Sequence, residues 1–493
     1  MKKLILLNPE FNIAKTKYDT SLSVGLLCLG SYLYKKGVPV KIIDCARQEK
    51  WEKVFEEEIK DAAYLGFSVM TTQIPSALRI AWWVKNFFPR VKLIWGGPHA
   101  TFFPQETLES NLVDFVILNE GEGTMWELLD SLEASYNPDF SKIDGLGWKK
   151  DGQIFINEKK ELLPMREIPL PNWELMPSEV LERLEIVPTH TSRGCPHRCA
   201  FCINAITKNR WRMRESGKVL EDIAIIKSKP CFAGKKLRFW DENFFVDMVR
   251  VKEIVEGMIK NDLIIPWETT VRADYFSRPE LTDDLLEAMK QSGCYLLSFG
   301  AESGSPKILK KIDKDITRQE IIESAKKCLR HGIIPQYSFM VGLPGETAKD
   351  IRQTISLIDE LVALDPKVQI LGPQAFRPYP GSKLYEECLE AGWKSPEGLK
   401  EWARAVENEL NYLTPFNFPW VKDPGLVDSL EAYARFGAVG FKNALGSTVT
   451  SSKLLKAAFI AVCKLRWKTR FFKWPIEYKL AKKYIAGGGV SQS

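Results

Sequence analysis

Apolar residues fall in short runs along the first 130 positions, and the stretches between them carry helical spacing. LILLN (4–8), VKIID (40–44), AYLGFSV (63–69), VKLIWGG (91–97) and VDFVILNEG (113–121) have the pattern of buried strands. Residues 22–36, 75–88 and 122–134 repeat apolar positions at the helical period. Near-continuous apolar strands alternating with helices predict a parallel sheet covered on both faces. Ligands of such a sheet bind at the carboxyl ends of its strands. There the chain places Asn8 and Pro9, then Ser68, Thr71, Thr72 and Gln73. Gly96, Gly97, Pro98 and His99 follow, then Asn119, Glu120, Gly121, Glu122 and Gly123.

The rhythm lapses over 141–187, where Pro164, Pro169, Pro171 and Pro177 punctuate short strand-like pieces such as QIFIN. A second alternating series occupies 188–395. Its strand candidates are IVPTHTSRG, KLRFWDENF, WETTVRADYF, CYLLSFGAESG, IPQYSFMVGLPG and VQILGPQAFRPYPG, with helices between them, for example over 278–292 and 317–331. Six βα units predict a full or partial (β/α) barrel whose site lies at the C-terminal mouth of its strands. The expected fold class is therefore α/β. A parallel-sheet domain (1–140) and a linker with short strands (141–187) precede a (β/α)6-type partial barrel (188–395). A helical C-terminal region (396–493) ends the chain.

Composition adds limits. A chain of 493 residues exceeds one ordinary domain. No apolar run approaches the length of a membrane span. The N-terminal run stops at Asn8-Pro9 without a small-residue cleavage site, so it reads as a strand rather than a signal. Ten cysteines scattered around one tight cluster predict a reducing, cytoplasmic setting rather than a disulfide framework. The net charge of +6 belongs to the tail. Positions 452–485 hold ten Lys/Arg against Glu477, and the remainder holds 59 basic and 62 acidic residues. The tail interleaves these charges with Phe459, Trp467, Phe471, Phe472, Trp474, Tyr478 and Tyr484. Such a stretch suits peripheral contact with the inner face of an anionic membrane. The alternative is a helix packed on the barrel with its charged face solvated. The high apolar content argues against nucleic acid.

The clearest chemistry is the segment TSRGCPHRCAFC, which spaces Cys195, Cys199 and Cys202 as C-x3-C-x2-C after the first strand of the second series. Thiolates are the usual ligands of iron–sulfur clusters. Three of them on one loop can hold three irons of a cubane and leave the fourth iron open. A zinc site with His197 or His190 as fourth ligand is the alternative, although zinc motifs usually pair their ligands and no second pair follows.

The C-x3-C-x-aromatic-C pattern, with Phe201 as the aromatic, resembles the signature of the radical S-adenosylmethionine (SAM) superfamily. FWDENF, VRADYF, FGAESGSPKIL, FMVGLPGET and FRPYPGSKLY resemble further strand-end segments of that family. The resemblance implies a [4Fe–4S] cluster on the three cysteines and SAM near Phe201, Asp241, Glu242, Asn243, Arg272, Glu302, Gly342 and Pro344. Ion pairs at the barrel mouth and tight turns are the alternative roles for these residues. SAM would chelate the open iron, and the reduced cluster would cleave it to methionine and a 5′-deoxyadenosyl radical.

The order NP…SVMTTQ…GGPHAT…NEGEG ahead of such a barrel resembles the cobalamin-binding subclass, whose Rossmann-like domain presents corrin to the barrel. That resemblance implies cobalamin contacts at Asn8, Pro9, Ser68, Thr71, Thr72, Gln73, Gly96, Gly97, Pro98, His99, Gly121, Glu122 and Gly123. A degenerate domain that has lost its cofactor is the alternative. The D-x-H-x-x-G motif is absent, which implies cobalt without a protein imidazole below it. The dinucleotide fingerprint is absent too, since Trp126 stands where its third glycine would fall.

Three functions follow as expectations. The first is methylation of an unactivated carbon of a small-molecule substrate, lipid-like or tetrapyrrole, with electrons from a flavodoxin or ferredoxin. The second is an oxidative, ring-forming cyclase of the anaerobic magnesium-protoporphyrin type. The third is a non-catalytic corrinoid or metal-binding protein.

Overall fold

A computed structural model describes residues 1–11, 22–159, 161–204, 210–407, 415–439 and 453–487. The side chain of Tyr484, named above in the tail, lies outside the described residues.

The N-terminal sheet contains β1 (Lys3–Asn8), β2 (Val40–Asp44), β3 (Ala62–Ser68), β4 (Lys92–Gly96), β5 (Phe115–Ile117), β6 (Leu146–Lys150) and β7 (Gln153–Ile156), in the order β2-β1-β3-β4-β5-β6-β7. The first five are parallel and β6 and β7 are antiparallel. The sequence pattern leaves 146–156 in the linker. Their strands instead extend the sheet, because Leu146 and Trp148 gain burial against β5 and Phe140. Helices Val24–Lys35, Ile74–Phe87 and Glu122–Ala134 cover the faces, within a residue or two of the expected spans. β2 and β3 lie on opposite sides of β1, so the strand order reverses there. The reversal opens a crevice between the ends of β1 and β3.

The second sheet begins with β8 (Ile186–Thr189). A short antiparallel pair, β9 (Ser192–Arg193) and β10 (Arg212–Met213), branches from its end. β11 (Lys236–Phe239), β12 (Trp267–Val271), β13 (Cys294–Glu302), β14 (Ile334–Val341) and β15 (Gln369–Ala375) follow. The six long strands run parallel in the order β15-β14-β13-β12-β11-β8, an open half-barrel, and each expected strand forms. Its helices are capped by their own sequence. Thr317 with Glu320, and Thr347 with Asp350, close reciprocal capping boxes. Burial alternates along β14: Tyr337, Phe339 and Val341 pack in the core, while Gln336, Ser338 and Met340 occupy the other face.

The helical C-terminal region packs on both preceding domains. Helix Gly398–Glu407 inserts Leu399, Trp402 and Ala403 into the core of the N-terminal domain, and Gly398 N donates to Glu106 Oε2 at 2.6 Å. Helix Pro424–Tyr433 covers β15, protecting an edge strand that would otherwise expose its backbone. Helices Lys453–Thr469 and Ile476–Gly487 pack on the barrel through buried Cys463, Trp467 and Phe472, with Trp467 Nε1 donating to Asp359 Oδ1 at 2.7 Å. Among the described residues no helix is long and apolar enough to cross a membrane.

Candidate active site between the two domains

The cysteine loop is stitched down around all three thiols. Asp241, just past β11, accepts from Thr191 N at 2.7 Å, Ser192 Oγ at 2.6 Å and Thr191 Oγ1, fixing the entry to the loop. Gly194 (φ +80°) can only be glycine, since a Cβ there would lie 1.9 Å from Arg210 O. Beyond the second cysteine, Ala200 N donates to Ile312 O and Leu384 N to Ala200 O, each at 2.9 Å. Arg272 Nη1 lies 3.5 Å from Cys199 Sγ. Burial pushes the Cys195 thiol up to about 11 and raises that of Cys202.

Among the described residues no three His, Cys, Asp or Glu side chains converge on a single ion. A cubane does not require convergence, because each thiolate takes its own iron. His197, one candidate for a zinc ligand, has Nε2 3.3 Å from Tyr275 Oη and packs edge-on to that ring. His190 is half-buried, and desolvation together with Arg193 and Arg214 pushes its pKa down to about 3. The donor set therefore fits a cluster held by three thiolates.

The residues expected around SAM divide into two groups. At the mouth, Lys314 Nζ pairs with Glu302 Oε1 at 3.0 Å and lies 5.6 Å from the Phe201 ring centroid. Glu302 ends β13 with φ +62°, an uncommon backbone state for a non-glycine residue. Arg272 joins this group to the cysteine loop by donating to Lys314 O and to Asp274 Oδ1. Asn243 is fully buried, its Oδ1 accepting from Phe245 N at 3.3 Å and its side chain lying against the Tyr275 hydroxyl. Glu242 keeps contact with solvent but is crowded by protein on its other sides, and the resulting desolvation pushes its carboxyl up to about 7.

The second group is scaffold. Asp241 spends both oxygens on the loop entry described above. Gly342 and Pro344 are buried beneath the C-terminal region: a Cβ on Gly342 would lie 2.8 Å from Val427 Cγ1, and Trp420 Nε1 donates to Gly342 O at 2.8 Å. The sequence pattern does not reveal this cover, because 420 and 427 are remote along the chain.

The residues expected at cobalamin divide in the same way. Ser68, Thr71, Thr72, Gly96, Gly97, Pro98, Gly121 and Gly123 sit partly exposed at the strand ends, whereas Pro9 is buried. Asn8, Gln73, His99 and Glu122 are buried. Gln73 Nε2 laces the crevice by donating to Asn8 Oδ1 at 2.9 Å and Pro9 O at 2.7 Å, and Asn8 donates to Asp44. His99 contacts Thr71 Oγ1 through Nδ1 at 3.2 Å and packs against Phe103 and Trp402, and burial pushes its pKa down to about 3. That ring is part of an aromatic cluster behind the strand ends. His99 Nε2 and Asn119 Oδ1 are buried without partners beside the glycine turns, so unspent polar capacity borders the crevice and suits a large polar cofactor.

Glu120 and Glu122 face the barrel. Arg193 Nη1 and Nη2 lie 2.8 Å from Glu120 Oε2 and Glu122 Oε1, and Arg212 also pairs with Glu120. Arg193, Lys314 and Trp402 are the site residues that sequence reasoning missed. Their partners are distant in sequence and no motif marks them.

Two open strand-end faces, one bearing three thiols and the other a glycine-lined crevice, are locked together by this ion-pair network. The arrangement brings two candidate cofactor faces to one interface. Family models agree: the radical SAM superfamily matches residues 189–358 and the B12 binding domain residues 10–129. The chain belongs to the cobalamin-binding radical SAM family, whose cofactors are a [4Fe–4S] cluster, SAM and cobalamin.

An uncharacterized methyltransferase from Pyrococcus horikoshii is 31% identical over 398 residues, covering 79% of this chain and 83% of that protein. The anaerobic magnesium-protoporphyrin IX monomethyl ester cyclase of Rubrivivax gelatinosus is 24% identical, covering 83% and 72%. The fold resembles that of the radical SAM methyltransferase TsrM from Kitasatospora setae, with TM-score 0.69, 15% identity and coverage of 98% and 99%. It also resembles OxsB, a cobalamin-dependent SAM radical enzyme, with TM-score 0.65, 18% identity and coverage of 99% and 71%.

Proposed function

We propose that this enzyme methylates an unactivated carbon of a small polar or tetrapyrrole-like substrate held between its two domains. Cys195, Cys199 and Cys202 would hold the cluster, the Glu302–Lys314–Phe201 group and Glu242 would border SAM, and the partly exposed strand-end glycines and threonines would border cobalamin. When bound, the cluster supplies one-electron cleavage of SAM and cobalamin supplies methyl carriage. The residues of the chain orient these groups and keep water out. Arg272 fixes the cysteine loop relative to the SAM-facing strand, and Asp241 fixes where the loop begins.

The observation that carries the reading is the buried Arg193 bridge to Glu120 and Glu122. It brings the cobalamin domain against the residue that precedes Gly194-Cys195, which would let both cofactors face one substrate. The inner face of the half-barrel carries polar side chains bonded to one another. Arg238, Glu268 and Tyr295 form one linked set there, and Ser298, Gln336 and Gln369 form another. The methyltransferase relatives point the same way on the reaction.

Product analysis of the anaerobically reconstituted enzyme tests the proposal. Methyl transfer produces S-adenosylhomocysteine together with 5′-deoxyadenosine and a methylated product. 5′-Deoxyadenosine with no S-adenosylhomocysteine would overturn it in favour of oxidative ring formation, the activity named for the Rubrivivax relative.

A further inference from the structure

We infer that the loop joining the last two helices, Arg470–Pro475, is a membrane-docking tip that seats the enzyme on an anionic lipid surface. The tail helices bury one side and expose the other. Helix Lys453–Thr469 turns Cys463 and Trp467 into the barrel, while Ala458, Ala461, Val462 and Leu465 face outward. Leu465 is 61% exposed, and in helix Ile476–Gly487 Ile476 and Leu480 are 62% exposed. Between the helices, Phe471 and Trp474 project into solvent with their rings 6.2 Å apart, Trp474 at 72% exposure.

This tip is built, not slack. Arg466 Nη1 donates to Phe471 O at 3.0 Å and Lys473 O at 2.9 Å, and its Nη2 donates to Trp474 O at 2.9 Å and Glu477 Oε2 at 2.8 Å. Trp474 is thereby held at φ +50°, where a bulky residue is rarely found, and its ring points out of the fold. A fold gains nothing internally from bracing an indole toward water.

Charge identifies the occupant. Lys464, Lys468, Lys473 and Lys479 are exposed around the aromatic pair and form no ion pair with a described residue. The single acid of the segment, Glu477, is neutralised by Arg466. The rest of the chain carries more acids than bases, so the excess positive charge that an anionic surface would meet lies in this segment. Aromatic side chains flanked by lysines match the boundary between headgroups and acyl chains.

Flotation of the cofactor-loaded enzyme with phosphatidylcholine vesicles, with and without phosphatidylglycerol, is the test. The enzyme should float with the anionic vesicles and stay behind with the neutral ones, and added salt should release it. Replacing Lys464, Lys468, Lys473 and Lys479 by Gln one at a time should weaken binding roughly fivefold per lysine, from about 1 kcal/mol each. The double variant Phe471→Ser/Trp474→Ser should lose binding while its melting midpoint and cobalamin content stay at the parent value, since both side chains are exposed. No flotation with anionic vesicles, equal flotation with neutral ones, or indifference to both sets of variants overturns the inference. So does a concentration-dependent dimer that Trp474→Ser abolishes, which would assign the tip to a second copy of the chain.

Discussion

Arg193 Nη2 lies 2.8 Å from Glu122 Oε1, and both side chains are nearly sealed from solvent, at 12% and 4% exposure. Burial opposes ionisation of Glu122, but Arg193 outweighs it and holds the carboxyl below its usual range. The pair ties the glycine turn after β5 to the residue two before Cys195. Removing one partner of such a pair strands a buried charge and costs about 3–5 kcal/mol. Arg193→Met should therefore lower stability by that order in denaturant titration. Arg193→Met/Glu122→Gln should recover part of the loss. In the single variant, 5′-deoxyadenosine should accumulate without matching methylated product, because the domains no longer hold their relation. Unchanged coupling between the two products would refute the bridging role.

Each of Cys195→Ser, Cys199→Ser and Cys202→Ser should abolish iron loading and 5′-deoxyadenosine formation together. Arg272→Lys is the sharper test. Lysine keeps the charge but cannot reach Cys199 Sγ, Asp274 and Lys314 O at once. Cluster retention against a chelator should fall about 10–100-fold, the usual effect of losing an outer-shell partner. Parent-like retention in Arg272→Lys would show that this fork does not support the loop.

Trp402 is 1% exposed and packs on His99 and Phe103, so one C-terminal helix is part of the N-terminal core. Trp402→Ala should cost about 3–5 kcal/mol. It should also lower cobalamin retention while iron content stays near the parent value. A variant that loses iron first would place the weak point in the barrel instead.

Asp222 accepts from Thr189 Oγ1, and burial pushes its carboxyl up to about 6 from the ordinary 3.8. A native pKa above the unfolded one means that the native state holds the proton more tightly. Stability therefore falls as pH rises through the interval from 3.8 to about 6, and the full penalty applies above it. Asp222→Asn removes the penalty. Melting curves should show the variant more stable by up to about 3 kcal/mol near neutral pH, with no advantage at about pH 4. Equal stability at neutral pH would contradict this assignment.

The alternation of apolar strands and helices, the three-cysteine loop and the polar strand ends could be read along the chain because each is a local pattern. Strand burial is written in consecutive residues, and cluster-ligand spacing in a few positions. Both sheets followed from that rhythm, as did the place of the cysteines after the first barrel strand. The antiparallel extension by β6 and β7 did not, since short strands beside a proline-rich stretch look the same whether they join a sheet or cross a linker.

What the sequence determined by itself was therefore the class: two α/β units, one with a three-cysteine loop and one with polar strand ends. Tertiary structure alone decided which polar residues face the crevice and which are spent on the fold. Glu122 went to Arg193, His99 to Trp402, Asp241 to Thr191 and Ser192, and Gly342 to Val427. Each of those pairings is set by where separate elements meet in space, and the energy that selects it, burial of a charge or a ring against a partner, has no periodic trace along the chain.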